Sequence, residues 1–188
     1  MTAKVWLYRL PPEEDKGRRL RALLEAEEIA FGELTEEDAG KKIGDLIEEE
    51  ITGDGPDEEA GASDAAAPDE EFLLLSGLED DALDHLLEEM KKAGVSVGCK
   101  AVVTSSNVEY RLGDLIESVA REHQMMTTFS LLKQEMNQAL MALISSKTDP
   151  ESKAKLKAAV EQAAAALESG SDDPEVYETA LRDLRAAM

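Results

Sequence analysis

The sequence predicts an α/β protein. Two strand–helix–strand–helix segments contribute to one four-stranded sheet, and a C-terminal antiparallel helical hairpin or three-helix bundle follows. Three observations predict this. Short apolar runs that end at turn residues alternate with stretches of helical period. Residues 34–48 (LTEEDAGKKIGDLIE) match residues 103–117 (VTSSNVEYRLGDLIE) at six of fifteen positions, 69 residues apart. Beyond about residue 120 the apolar spacing is three and four, and Asp-Pro pairs mark two helix starts.

Lys4–Leu10 (KVWLYRL) is short and β-rich, and Pro11-Pro12 ends it, so a strand is expected. In residues 13–29, Leu20, Leu23, Leu24 and Ala26 share one face of a helix. Residues 29–34 predict a second strand. Thr35 then precedes a helix whose first turn carries Glu36, Glu37 and Asp38, where the helix dipole favours negative charge.

Residues 53–70 (GDGPDEEAGASDAAAPDE) lack any large aliphatic or aromatic side chain. They cannot bury enough apolar surface to offset their ordering entropy, and a flexible acidic linker is expected. The pattern then restarts at Phe72-Leu73-Leu74-Leu75. A helix over 79–93 follows, with Leu83, Leu86, Leu87 and Met90 on one face and Gly94 at its C-cap. Lys100–Val103 is the fourth strand, and Thr104 again precedes a helix.

The two matching stretches place a Gly inside each helix at the same point. Gly costs about 1 kcal/mol there relative to Ala, so close approach to a neighbouring helix or sheet is expected. Each segment alone offers two strands, and crossovers of this kind make parallel neighbours. One sheet shared by residues 1–52 and 71–123 is the stable solution, with residues 124–188 as a helical tail. In the tail Val119, His123, Met126, Leu132, Met136, Leu140 and Leu143 form the expected seam, with a break near Thr127-Thr128. Helices start at Asp149-Pro150 and Asp173-Pro174. Leu156, Val160, Ala163 and Leu167 face inward from the first, and Tyr177, Leu181, Leu184 and Met188 from the second.

The stretch FLLLSGLEDDALDHLLEEMKKAGVSVGCKAVVTSSNVEYRLGDLIESVAREH resembles a small bacterial family known only as domain of unknown function 3783. The strand ending at Leu75, the K-A-V-V-T strand, the Thr104 to Asn107 turn and Leu112, Leu115 and Glu122-His123 carry the resemblance. Residues 4–51 fit the same outline more loosely. The resemblance implies a fold and no activity.

Composition narrows the function. The chain has 188 residues, 20 basic and 42 acidic, for a net charge of −22. Nucleic-acid affinity comes largely from Lys and Arg displacing counterions, so nucleic acid is excluded as a partner, and anionic membrane surfaces are disfavoured. A basic protein partner remains open. The start of the chain lacks a signal-peptide pattern and no apolar run is long enough to span a bilayer, so a cytoplasmic location is expected.

No cofactor or metal site is expected from the spacing of one Cys and two His. Cys99 reads as a passive semi-buried thiol. His85 is placed to pair with Asp81 or Glu89 at a spacing of four. His123 reads as a partly buried helix residue rather than a ligand. No catalytic residue is identified.

The most informative cluster is Thr104, Ser105, Ser106 and Asn107, with Arg111 one turn on. A strand end feeding a helix N-terminus is where anions bind in open α/β sheets. Two functions are therefore expected to compete: a non-catalytic interaction or regulatory module acting through its helical tail, and a small-molecule or anion-binding protein using Thr104–Asn107.

Overall fold

The computed structural model describes residues 3–52, 68–144 and 149–188. Apart from residues 68–70, the expected flexible linker lies outside the described residues. The chain divides into two compact units, residues 1–120 and 121–188.

The first unit comprises β1 (Lys4–Tyr8), α1 (Asp15–Ala26), β2 (Ala30–Leu34), a single 3-10 turn (Glu36–Gly40), α2 (Ile43–Thr52), β3 (Phe72–Ser76), α3 (Asp80–Lys92), β4 (Cys99–Val102) and the start of α4 (Leu112–Ile144). The strands form one sheet in the order β2-β1-β3-β4. β1 runs parallel to β2, β3 parallel to β4, and the central pair β1 and β3 is antiparallel.

The central register explains the core. Val5 faces Leu75 and Leu7 faces Leu73, while Trp6 faces Leu74 and Tyr8 faces Phe72. Side chains alternate across a strand, so these pairs divide between the two sheet faces. The first face packs on Leu20 and Leu24 of α1 and on Leu86 and Met90 of α3. The other packs on Ile43 and Leu46 of α2 and on Leu112, Leu115 and Ile116 of α4. With helices on both faces, a continuous apolar strand is what burial requires, and all five residues of β3 are buried.

The matching stretches touch each other. The Ile43 N–H donates to Tyr110 O, and the Leu112 N–H donates to Lys41 O, both at 3.0 Å. These two bonds are one bond shifted by 69 residues with donor and acceptor sides exchanged. Lys42 and Arg111 form an isolated antiparallel bridge between them. A Cβ on Gly44 would stand 3.3 Å from Val108 O, and one on Gly113 would stand 3.2 Å from Ala39 O. The expected close approach is thus a helix start packed on the backbone of the opposite loop.

Two sequence expectations are corrected in this region. α2 begins at Ile43 and α4 at Leu112, not directly behind Thr35 and Thr104. A 3-10 turn precedes α2, and a turn occupies residues 105–109. Thr35 forms a capping box with Asp38 at the start of the 3-10 turn rather than at α2, and its hydroxyl lies 2.9 Å from Asp38 Oδ2. β1 also ends two residues earlier than expected, because Arg9 adopts a left-handed φ of 52° that breaks the strand.

The second unit packs α5 (Pro150–Ser169) and α6 (Pro174–Ala187) against the rest of α4 around one core. Asp149 and Asp173 cap the two helix starts through their carboxylates, and Gly170 closes α5 at φ 58°. Phe129 meets Tyr177 edge to face at 5.5 Å between ring centroids. α4 runs unbroken through Thr127-Thr128; Thr128 is buried within it. Met188, expected on the inner face of α6, is 59% exposed.

The inner seam of α4 also differs from expectation. It runs Met125, Phe129, Leu132, Met136, Ala139 and Leu143. Both Ala139 and Leu140 satisfy the apolar spacing, but the inner position goes to Ala139, which is fully buried. Leu140 and Met126 are turned outward, and His123 is exposed rather than partly buried.

Candidate functional site

The predicted cluster forms a tight turn at the end of β4. The Thr104 N–H donates to Asn107 Oδ1 at 2.8 Å, and Asn107 Nδ2 donates to Val102 O at 2.9 Å. Both halves of the Asn107 amide are therefore engaged by the turn itself. Ser105 and Ser106 are exposed, and so is Arg111 beyond them. The first available amide of α4, that of Leu112, is already bonded to Lys41 O. The same turn recurs 69 residues earlier, where the Thr35 N–H donates to Asp38 Oδ2 at 2.7 Å. Burial raises the Asp38 carboxyl, but hydrogen bonds from Thr35 and the nearby Lys41 ammonium outweigh it, leaving the group below the ordinary carboxylate range.

The other singled-out residues are dispersed. Cys99 is buried at the start of β4, and burial pushes its thiol up, aided by Glu70 and opposed by Lys100. A buried thiol held in its neutral form is a poor nucleophile. His85 pairs with Glu27, just past the end of α1, at 2.8 Å, not with Asp81 or Glu89 of its own helix. α1 and α3 cover the same sheet face, and this brings Glu27 within reach. Among the described residues no group of three or more Cys, His, Asp or Glu is arranged to hold a metal.

Sequence reasoning missed a cleft of about 540 Å³ at the carboxyl ends of β1 and β2. Arg9 lines it. Its Nε donates to Pro68 O at 2.8 Å, and its guanidinium reaches Glu36 at 2.7 Å and Asp69 at 3.0 Å. The Tyr8 hydroxyl donates to the same Pro68 carbonyl at 2.9 Å. Glu33 pairs with Arg21 and Glu71 with Lys16, each at 2.6 Å. Four of the five lining carboxylates are thus ion-paired by three of the chain's own cations, with Arg9 shared between two of them, and these pairs tie the cleft's walls together.

In the second unit, the outward side of α4 carries a further stripe. Met126 is 54% exposed, Leu140 41%, Met141 73% and Ile144 79%. Met126, Ser130, Lys133, Asn137, Leu140 and Ile144 follow a spacing of four and three, parallel to the inner seam. One signal for it was legible: residues 123–144 carry only Lys133 and Glu135 as charges, in a chain that is 33% charged. Glu135 is held by Arg185 through two oxygens at 2.6 and 3.0 Å.

Residues 71–126 match the family model described as domain of unknown function (DUF3783). That segment runs from β3 into α4. No curated protein and no solved structure matches the chain. Among the described residues no helix is long and apolar enough to cross a membrane.

Proposed function

We propose that this protein is a non-catalytic interaction or regulatory module that docks a protein partner on the outer stripe of α4. The observation that carries the reading is the exposed apolar group Met126, Leu140, Met141 and Ile144 on a helix whose inner seam is already filled. Leu140, Met141 and Ile144 lie within about one turn of the helix and Met126 further along it; exposed apolar side chains grouped in this way mark contact sites, and methionine adapts its shape to a partner at little cost. Nucleic acid is an unsuitable partner for a chain of net charge −22.

The alternative, an anion held at Thr104–Asn107, has no comparable support. Asn107 is spent within its own turn, and the Leu112 amide is spent on Lys41.

The two strand–helix segments are read as copies of one duplicated unit. The reading is supported by the exchange of bonds between Ile43–Tyr110 and Leu112–Lys41, and by the matching turns at Thr35 and Thr104.

The test is a photo-crosslinking amino acid placed at Met141 and, as a control, at the exposed Glu161 of α5, each irradiated in an extract of the source cells. A discrete adduct from position 141, lost when Leu140→Glu and Ile144→Glu are added, is the expected result. Equal or absent labelling at both positions overturns the reading.

A further inference from the structure

The first unit has a second cleft, of about 430 Å³, between the end of α3 and the start of β4. Leu87, Met90, Val95 and Val97 supply its apolar lining, and they pack in the core of the first sheet face. Lys91 and Lys100 line it too, and no described carboxylate does. The cleft at the ends of β1 and β2 is the opposite case, with five lining carboxylates.

Both lysines are exceptions in a chain of 20 basic and 42 acidic residues. Lys4 and Arg111 have contacts of their own. Every other lysine and arginine described in residues 1–120 is ion-paired to a carboxylate, except Lys91 and Lys100. The exception does not arise for want of a neighbour. Glu88 stands three residues before Lys91, just as Glu89 stands three before Lys92. Of these two pairs only Glu89 and Lys92 meet, at 2.6 Å. Lys100 is half-buried, and its ammonium donates to Val97 O at 2.5 Å. That bond holds its charge at a residue of the apolar lining. An ammonium has three donors, so others remain for a ligand.

We infer that this cleft binds a small amphiphilic anion, a carboxylate on an aliphatic body. The apolar lining suits a hydrocarbon chain, whose removal from water favours binding. The two lysines suit a negative head, which the chain itself does not supply there. An inorganic anion would leave the apolar lining unfilled. A neutral hydrocarbon would leave both ammonium groups without a counter-charge, and a cation would meet two like charges. The volume is of the size that holds a small molecule rather than a protein surface. The inference is independent of the docking role proposed for α4.

The experiment is a titration of the isotope-labelled full chain with sodium octanoate, followed through its backbone amide resonances. Octanol and acetate are the comparison probes, since each keeps one half of the match. Octanoate is expected to shift the amides of residues 94–100 saturably, with Kd on the order of 0.5 mM. Octanol and acetate should each bind about tenfold more weakly. The Lys91→Gln, Lys100→Gln variant should also lose about tenfold in octanoate affinity. Lys91 is exposed, so Lys91→Gln alone keeps the fold and should lose about threefold, as for one exposed ion pair. Octanoate shifts that scatter over the surface, or that do not saturate, overturn the site. Octanol binding as tightly as octanoate overturns the role of the lysines, as does unchanged affinity in both lysine variants. Acetate binding as tightly as octanoate overturns the amphiphilic ligand, because the apolar lining would then play no part.

Discussion

The two halves of the sheet unit build the same frame with different residues at its difficult points. Where β1 and β3 end, the chain turns through a left-handed residue: Arg9 at φ 52° in the first half and Gly77 at φ 66° in the second. Where α1 and α3 end, it does so again, with Glu28 at φ 56° and Gly94 at φ 65°. Glycine adopts this region without strain, whereas other L-residues have a Cβ that crowds the following carbonyl. The second half has the residue the backbone asks for at both points. The first half carries two strained positions and uses one of them, Arg9, to tie Pro68, Asp69 and Glu36 together. The family match falls on the second half, residues 71–126. The difference teaches that the same strand–helix order tolerates non-glycine residues at both left-handed points of the first half and has glycine at both in the second.

The connections diverge in the same way. Six residues, 9–14, join β1 to α1, and three, 77–79, join β3 to α3. The longer loop folds down over α1, where a Cβ on Gly17 would overlap the Pro11 carbonyl and stand 2.8 Å from Leu10 O. The matching position in α3, 66 residues on, is Leu83, which packs on the core. Among substitutions that separate the halves, Gly17→Ala is therefore expected to have the largest effect. A destabilisation of about 3 kcal/mol, read from urea denaturation, would fit overpacking against backbone that has no room to move. A neutral Gly17→Ala would remove the reason for this difference between the halves.

Asn107→Ala and Asp38→Ala should come next. Each removes the acceptor for the Thr N–H of its turn, at about 1–2 kcal/mol by chemical denaturation. They should part in their pH dependence. The Asp38 carboxyl is held below its ordinary range, so its contribution is present above the unfolded value near 4 and is lost as pH falls through the lower folded value. Asp38→Asn should flatten that acid limb, while Asn107 variants leave it unchanged. Equal acid limbs in wild type and Asp38→Asn would contradict the geometry at Thr35.

Smaller effects are expected at the left-handed positions. Glu28→Gly should stabilise by about 0.5–1 kcal/mol, and Gly94→Ala should destabilise by about 1 kcal/mol. Thermal melts of the two variants check both signs together. If Glu28→Gly destabilises, Glu28 contributes contacts that outweigh its backbone strain.

The second unit shows where function was harder to read. The starts of α5 and α6 at Asp149-Pro150 and Asp173-Pro174 were legible, because capping and proline chemistry are local. The strands and the order of helices were legible for the same reason, from runs and periods. Which side of α4 faces inward was not. Ala139 and Leu140 both fit the period, and apolarity alone favours Leu140. Packing between close helices favours the smaller residue, so the larger one is left outside, on the surface proposed to meet a partner.

The turn at Thr104–Asn107 was legible as a strand end. Its hydrogen bonds were not foreseeable, since they depend on a turn that delays α4 to Leu112. The likeness between α1 and α3 was hidden in turn. The first half has three more residues before its helix, and the second has three more after it, 93–98 against 27–29. The spacing of equivalent positions is thus 66 in these helices, from Leu20 to Leu86, and returns to 69 at the following turns.

At the centre of this picture, the two halves are a single interlocked unit, joined where each helix start is bonded to the opposite loop. Native-state hydrogen exchange at Ile43 and Leu112 tests this most directly, because each amide donates across the join, to Tyr110 O and Lys41 O respectively. The two amides should exchange with the same free energy of opening, equal to that of the central β1 and β3 amides and to global unfolding. Exchange of either amide at a clearly lower free energy than the central strands would mean that the halves open separately, and would contradict the interlocked unit.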